Sequence, residues 1–291
     1  MDCLLPTHEH RSYNQLTPDI QEPHDLATDR KDIAQPLQMQ GNLRRLTNRE
    51  TMTSPHPPVP TVSCIVPTTK NRCLFWPMLF RCFQAQSWPN RELVLVSEDP
   101  IDGELPPKTR VIKVSPGTSI GSKINIGVEN SHSDYFCKMD DDDWYHRYHL
   151  SGSISPLLRR TPSISMATNY MILLLKPWEL HYLPRTSCAG GTICFDRAAW
   201  NLRHFEDRSA SEDWNFINLR SFPILTPMSQ VLVTYVIVRH ENNTWNDWQE
   251  TKTPVDNALI KLGKKQSMGP EGFFSPEDLA FSQKLRLSLH S

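Results

Sequence analysis

Net charge, long apolar runs and closely paired cysteines are all missing from this 291-residue chain. Its 31 Lys and Arg stand against 32 Asp and Glu, a net charge of -1, so there is no bulk pull toward nucleic acid or anionic membrane and recognition must come from local sites. No stretch approaches the ~18 uninterrupted apolar residues of a membrane span. The N-terminus carries Asp2 and Glu9 with no apolar core, unlike a signal peptide, and the expectation is a soluble, cytoplasmic protein. Seven cysteines are an odd number, scattered, with no CxxC pair, which predicts buried reduced thiols rather than a disulfide framework or structural zinc. Large apolar residues are scarce in residues 1–58, which predicts a disordered polar tail in which His8, Glu9 and His10 are simply solvated. That tail runs into the extended linker Pro55-His56-Pro57-Pro58-Val59-Pro60.

What is present begins after the linker, and 38% hydrophobic content over the chain is enough for a substantial core. Val62 to Val66 reads as a buried strand stopped by Pro67, and Pro77 suits the first turn of a helix reaching about Gln86. Glu92 to Val96 and Thr109 to Val114 read as strands, Gly121 to Val128 as a helix, and Tyr135 to Met139 as a fourth strand. This alternation predicts an α/β fold with a mostly parallel central sheet flanked by helices. Such sheets bind ligands beyond the carboxyl ends of their strands, where three polar clusters fall here: Thr68 to Arg72, Ser97 to Asp99, and Asp140 to Asp143. Further on, Tyr148 to Arg160 reads as a helix, Ile164 to Leu175 as one or two strands, and Gln230 to Val238 as a strand ending at Arg239 and His240. Residues 251–291 read as a polar C-terminal extension with short helices.

The four consecutive acids are the focus. If the chain stays extended beyond the strand, Asp140 and Asp142 share one face and Asp141 and Asp143 the other, and two same-side carboxylates can grip a divalent ion such as Mg²⁺ or Mn²⁺. The competing reading is a solvated acidic turn that caps the next helix; the position after a buried strand favours the metal. Ser209 and Glu212 have the spacing of a capping box, which leaves Asp213 without a local task and free to project into a cleft. Gly190-Gly191 is either a turn before a strand or a place where backbone approaches a ligand.

Taken in order, Val62 to Thr68, Gln86 before Trp88-Pro89-Asn90, Glu92 to Val96, Lys123 and Asn125, Met139 with the four acids and Trp144-Tyr145, Gly190-Gly191-Thr192, Glu212-Asp213 and Asn243-Thr244-Trp245 resemble the family-two glycosyltransferases of the GT-A fold over about residues 60 to 250. The resemblance implies a nucleotide-sugar half at about 59–145 and an acceptor half at about 146–250. It implies that Pro67, Thr68 and Arg72 line the nucleotide pocket, with Glu98 or Asp99 on the base, and that Lys123 and Asn125 belong to the donor site. Asp140, Asp141 and Asp142 match the DXD element, Asp140 near the ribose and Asp142 on Mn²⁺ or Mg²⁺, with His240 a looser third ligand. Asp213 matches the catalytic base and Glu212 its assistant. One departure is Ser97-Glu98-Asp99, where the family often has two aspartates. The partners implied are a nucleotide-sugar donor, UDP-linked by expectation, and a carbohydrate or other hydroxyl acceptor, with inversion at the anomeric carbon. Lys123 or Arg239 is a candidate phosphate contact or an ordinary surface cation. Rival readings are a metal-dependent phosphohydrolase or nucleotidyltransferase, and a non-catalytic carbohydrate- or nucleotide-binding module.

Overall fold

The computed structural model describes residues 58–159, 161–176, 178–183, 189–217, 224–225, 233–240, 243 and 267–289. The readings made for the N-terminal tail, and for Thr244 and Trp245, lie outside those residues. All described residues belong to one compact unit, Pro55–Ser291.

Nearly continuous burial along the first central strands builds the molecule outward from its centre. β1 (Val62–Thr68) pairs in parallel with β2 (Arg91–Ser97) on one side and β4 (Tyr135–Lys138) on the other, and β3 (Thr109–Lys113) extends the sheet beyond β2. Cys64 and Val66 join Leu93 and Leu95 on one face, beneath α1 (Trp76–Ala85). Ile65 joins Val94 and Val96 on the other, beneath α2 (Ile120–Glu129), whose Ser119 cap accepts the Ser122 N–H. Both faces are covered, as parallel strands require, and each such buried aliphatic side chain contributes about 1.5–3 kcal/mol.

Pro67 does not stop β1; it sits inside the strand, opposite Val96. Ile65 O accepts from Met139 N on the β4 side, and alternation puts the missing Pro67 N–H on that same side, where the pairing with β4 has already ended at Lys138. The proline therefore deprives no ladder of a hydrogen bond.

β9 (Cys194–Asp196), β6 (Ile164–Ser165) and β10 (Ile224–Leu225) complete a seven-stranded sheet in the order β10-β6-β9-β4-β1-β2-β3, with antiparallel pairing only where β9 meets β4 and β6. A second sheet runs β12-β8-β7-β11-β5, from β5 (Trp144–Tyr145), β7 (Tyr170–Leu174), β8 (Glu179–Leu183), β11 (Tyr235–Arg239) and β12 (Ser267–Met268). Strands from beyond residue 146 thus complete the sheet begun before it, and the two expected halves interleave. The stretch beyond 266 is also built in: β12 pairs with β8, Phe274 and Leu285 are buried with the β1 face, and Asp278 of α6 (Pro276–Leu289) meets Arg81 of α1 at 2.9 Å.

The chain lays down β1, β2 and β3 in one direction and then returns to place β4 on the other side of β1. The reversal falls between the carboxyl ends of β1 and β4, the place where an open α/β sheet forms a ligand crevice. Thr68 ends β1 there, and the four acids follow β4.

Candidate active site

Beyond Met139 the backbone turns rather than staying extended, so the expected alternation of the acids is replaced by a different sorting. Asp141 and Asp142 both face Arg72, which stands on a short helical turn, Lys70–Arg72, just after β1. Asp141 accepts from Thr68 Oγ1 at 2.6 Å and from Arg72 Nε at 3.0 Å. Asp142 Oδ2 meets Arg72 Nη2, His240 Nε2 at 3.0 Å and the Asn243 side-chain amide at 2.9 Å. Phe75 holds this group from below, with the His240 ring stacked on it at 4.3 Å and the Arg72 guanidinium 5.0 Å from its centre. Asp143 accepts from Tyr235 Oη and from Val238 N at 2.9 Å, which ties the turn to β11.

A solvated acidic turn does not describe this geometry, since Asp141, Asp142 and Asp143 are only 4–5% exposed. Buried carboxylates need partners, and each has them. Burial pushes Asp141 up to about 6 despite Arg72 beside it, and pushes Asp143 well above the usual range. Burial would raise Asp142 too, but the His240 hydrogen bond and the Arg72 charge outweigh it and hold that carboxyl below its ordinary value. For Arg72 burial works against the charge, yet Asp142 and Asp141 keep the guanidinium firmly protonated.

Asp140 turns the other way. Buried Lys138 places its ammonium 3.3 Å from Asp140 Oδ1 and 3.2 Å from Glu212 Oε1, and the Asp213 charge also reaches it. Burial disfavours that ammonium, but Asp140 and Glu212 raise its pKa above the ordinary lysine value. The expected capping box is not formed: Ser209 Oγ accepts from Ile120 N of α2, and Glu212, the first residue of α5 (Glu212–Ile217), goes to Lys138. Long-range charge pairing wins over the local cap. Asp213 is half-buried, and its carboxylate fills the space that a Cβ on Gly190 would need. A Cβ on Gly191 would lie 2.6 Å from Asp140 Oδ2 and against the Tyr235 hydroxyl. The two glycines are thus backbone threaded between the acid turn and the Glu212-Asp213 helix, where any side chain would displace a carboxylate.

The other candidates are distributed around this centre. Lys123 is buried and bridges Thr68 O at 3.2 Å and Glu98 Oε1 at 2.8 Å, clamping the ends of β1 and β2. The Lys123 hydrogen bond holds Glu98 below its ordinary value. Asp99 accepts from Lys70 N at 3.2 Å, and Pro67 is half-buried in β1. Asn125 is placed elsewhere: its amide oxygen accepts from Trp200 Nε1 and Phe205 N, each at 3.0 Å, and its NH₂ donates to Phe205 O at 2.8 Å. That residue pins the chain after α4 (Arg197–Leu202). Lys138 and Asn243 are site residues for which the sequence pattern assigns no role. Lys138 carries a signal, a lone cation inside an apolar strand, since lysine is almost never buried unpaired. Asn243 carries one only as part of the Asn243-Thr244-Trp245 resemblance, and its contact with Asp142 is made by the fold.

Asp142 Oδ2 and His240 Nε2, 3.0 Å apart, have the separation of neighbouring ligands around an octahedral ion with bonds of about 2.1 Å. A carboxylate oxygen and an imidazole nitrogen are suitable donors, and Mg²⁺ or Mn²⁺ commonly takes its remaining ligands from water and phosphate. Asp140, the expected companion of Asp142, is engaged by Lys138 instead. Among the described residues no third carboxylate, histidine or cysteine joins Asp142 and His240 at ligand spacing.

No protein-family model matches the chain, and no curated protein does. Solved structures similar to it include S. aureus TarS 1-349 (14% identity, TM-score 0.46, 61% of this chain and 60% of that one) and the same TarS fragment in complex with UDP-GlcNAc (13%, 0.46, 63% and 60%). Mannosyltransferase PcManGT from Pyrobaculum calidifontis, in complex with GDP-Man and Mn²⁺, matches at 15% identity and TM-score 0.45, over 62% of this chain and 56% of that one. This chain therefore spans about three fifths of the length of these neighbours. The likeness is distant, and a functional reading has to stand on the site's own geometry.

Proposed function

We propose that this chain is a glycosyltransferase of the family-two, GT-A kind, moving a sugar from a nucleoside-diphosphate sugar, UDP-linked by preference, to an acceptor hydroxyl with inversion. The observation that carries the reading is the convergence of carboxylates on Gly190-Gly191 at the carboxyl end of β4: Asp213 lies against Gly190 and Asp140 against Gly191, while Asp142, two residues on, is held by Arg72 and His240. Asp142 and His240 would hold Mn²⁺ or Mg²⁺, which when bound neutralises charge on the departing diphosphate. Arg72, kept charged by its carboxylates, adds a second positive group on that side. Thr68 and Asp141 set the orientation of Arg72.

On the acceptor side, Asp213 takes the proton of the attacking hydroxyl. The hydroxyl oxygen bonds to the anomeric carbon, the bond from that carbon to the phosphate oxygen breaks, and the diphosphate leaves with the electron pair. Glu212 pairs with Lys138 and positions the first turn of α5, so that Asp213 faces the reacting centre. A single displacement of this kind inverts the sugar.

The test offers UDP-sugars and GDP-mannose with Mn²⁺ and a panel of hydroxyl acceptors, and follows nucleoside diphosphate release. Release that requires an acceptor is expected. Phosphate-ester hydrolysis without any acceptor would replace this reading with the phosphohydrolase one, and donor binding that no acceptor converts to turnover would replace it with a binding module.

A further inference from the structure

A second group of polar side chains lies beneath the site, fully buried, and the transfer reaction makes no use of it. Cys137 of β4 and Cys194 of β9 stand directly opposite one another, and His149, the first residue of α3 (His149–Ile154), reaches down to them. The Cys137 and Cys194 sulfurs and a His149 ring nitrogen all lie within 4.8 Å of one another, with Cys137 Sγ 3.8 Å from His149 Nε2. The bond from Lys138 N to Ile193 O at 2.8 Å marks the next pair along as hydrogen-bonded, which makes Cys137–Cys194 the close, non-hydrogen-bonded kind.

Two further facts point to a ligand. Ser153, one turn along α3 from His149 and so on its face, is fully buried, and its hydroxyl faces the Cys194 sulfur with no nitrogen or oxygen partner. His149 Nδ1 meets Thr234 Oγ1 at 3.3 Å, an outer partner of the sort that orients a ligating imidazole and leaves Nε2 for a metal. A tetrahedral zinc with bonds of about 2.3 Å to sulfur and 2.0–2.1 Å to nitrogen has a sulfur-to-nitrogen edge of about 3.5 Å, close to the separation seen here. We propose that Cys137, Cys194 and His149 bind a zinc-class cation, with Ser153 on the fourth side.

Its place in the fold gives the ion a task. Cys137 lies three residues before Asp140, and Cys194 three after Gly191. A cation joining them would clamp from below the two segments whose spacing sets the position of Asp213, while His149 ties α3 to both. The expectation of no structural zinc comes from cysteine spacing in sequence, and these ligands are brought together instead by strand pairing.

The test uses the full chain, purified without a metal-chelating tag from zinc-supplemented medium. Elemental analysis is expected to find on the order of one zinc per chain. Refolding with Co²⁺ is expected to give thiolate-to-cobalt charge transfer and the visible bands of a tetrahedral site. Cys194→Ser and His149→Ala should abolish both signals, and Asp142→Ala should leave them intact, which separates this ion from one at the acid turn. Core variants can fail to fold, so the wild-type chain decides. Substoichiometric zinc together with no tetrahedral cobalt spectrum overturns the proposal, and so does a Cys137–Cys194 disulfide found by non-reducing mass spectrometry.

Discussion

On the Arg72 side of the acid turn, two carboxylates face an arginine, a histidine and an amide; on the Lys138 side, three carboxylates share one lysine. Both clusters draw on the same four-residue acidic run, yet the cations and donors that face them differ. In the first, the His240 hydrogen bond and the Arg72 charge hold Asp142 below its ordinary value, which suits a carboxylate that is to meet a cation. The second sets three carboxylates around one buried ammonium, with Asp213 half-buried against Gly190. The lesson is that neighbouring aspartates acquire separate partners from the groups the fold turns toward them, not from their order in the chain.

The sharpest way to break that division is to change one member on each side. Asp213→Asn should lower turnover by about 10²–10⁴-fold while nucleotide binding persists, whereas Asp142→Ala should lose the Mn²⁺-dependent part of nucleotide binding. Thermal shift with and without Mn²⁺, read beside acceptor-dependent turnover, checks both. Equal loss of both properties in the two variants would merge the clusters into one.

Next in size is Lys138→Met, which leaves Asp140 and Glu212 buried without their cation. A loss of about 3–5 kcal/mol in unfolding free energy is expected in a denaturant titration. A loss under about 1 kcal/mol would mean that the lysine is not what balances the second cluster.

Smaller, and confined to one side, is Gly190→Ala. Its Cβ competes with the Asp213 carboxylate for space, so turnover should fall by about 10²-fold, the cost of misplacing a reacting group by ~1 Å, with donor affinity unchanged. Unchanged turnover would place Asp213 away from the reacting centre.

Much of this arrangement is legible in the order of residues. The polar clusters after β1, β2 and β4 are readable because a buried parallel strand shows as an apolar run and its end as an abrupt change to polar residues. From local pattern the Glu212-Asp213 pair is readable as a helix start that leaves Asp213 spare, and only the family resemblance adds a role. The local capping rule points Glu212 to Ser209, and a buried lysine far earlier in the chain, Lys138, overrides it. Asn125 misleads in the same way, since nothing local shows that its amide is taken up by Phe205 and Trp200. Pro67 misleads because a strand's edge on one side of one neighbour leaves no local mark.

By itself the sequence determined the alternation of strands and helices, the parallel character of the central sheet, and which strand ends would carry charge; these follow from periodicity and burial within a few residues. The tertiary structure alone decided that Arg72 would meet Asp142 across 70 positions, that His240 would meet it across 98, and that Cys137 and Cys194 would stand face to face. Such pairings depend on strand order and on the direction of a single turn. A change of one residue in that turn would redirect every side chain after it, and no local pattern of residue types records the choice.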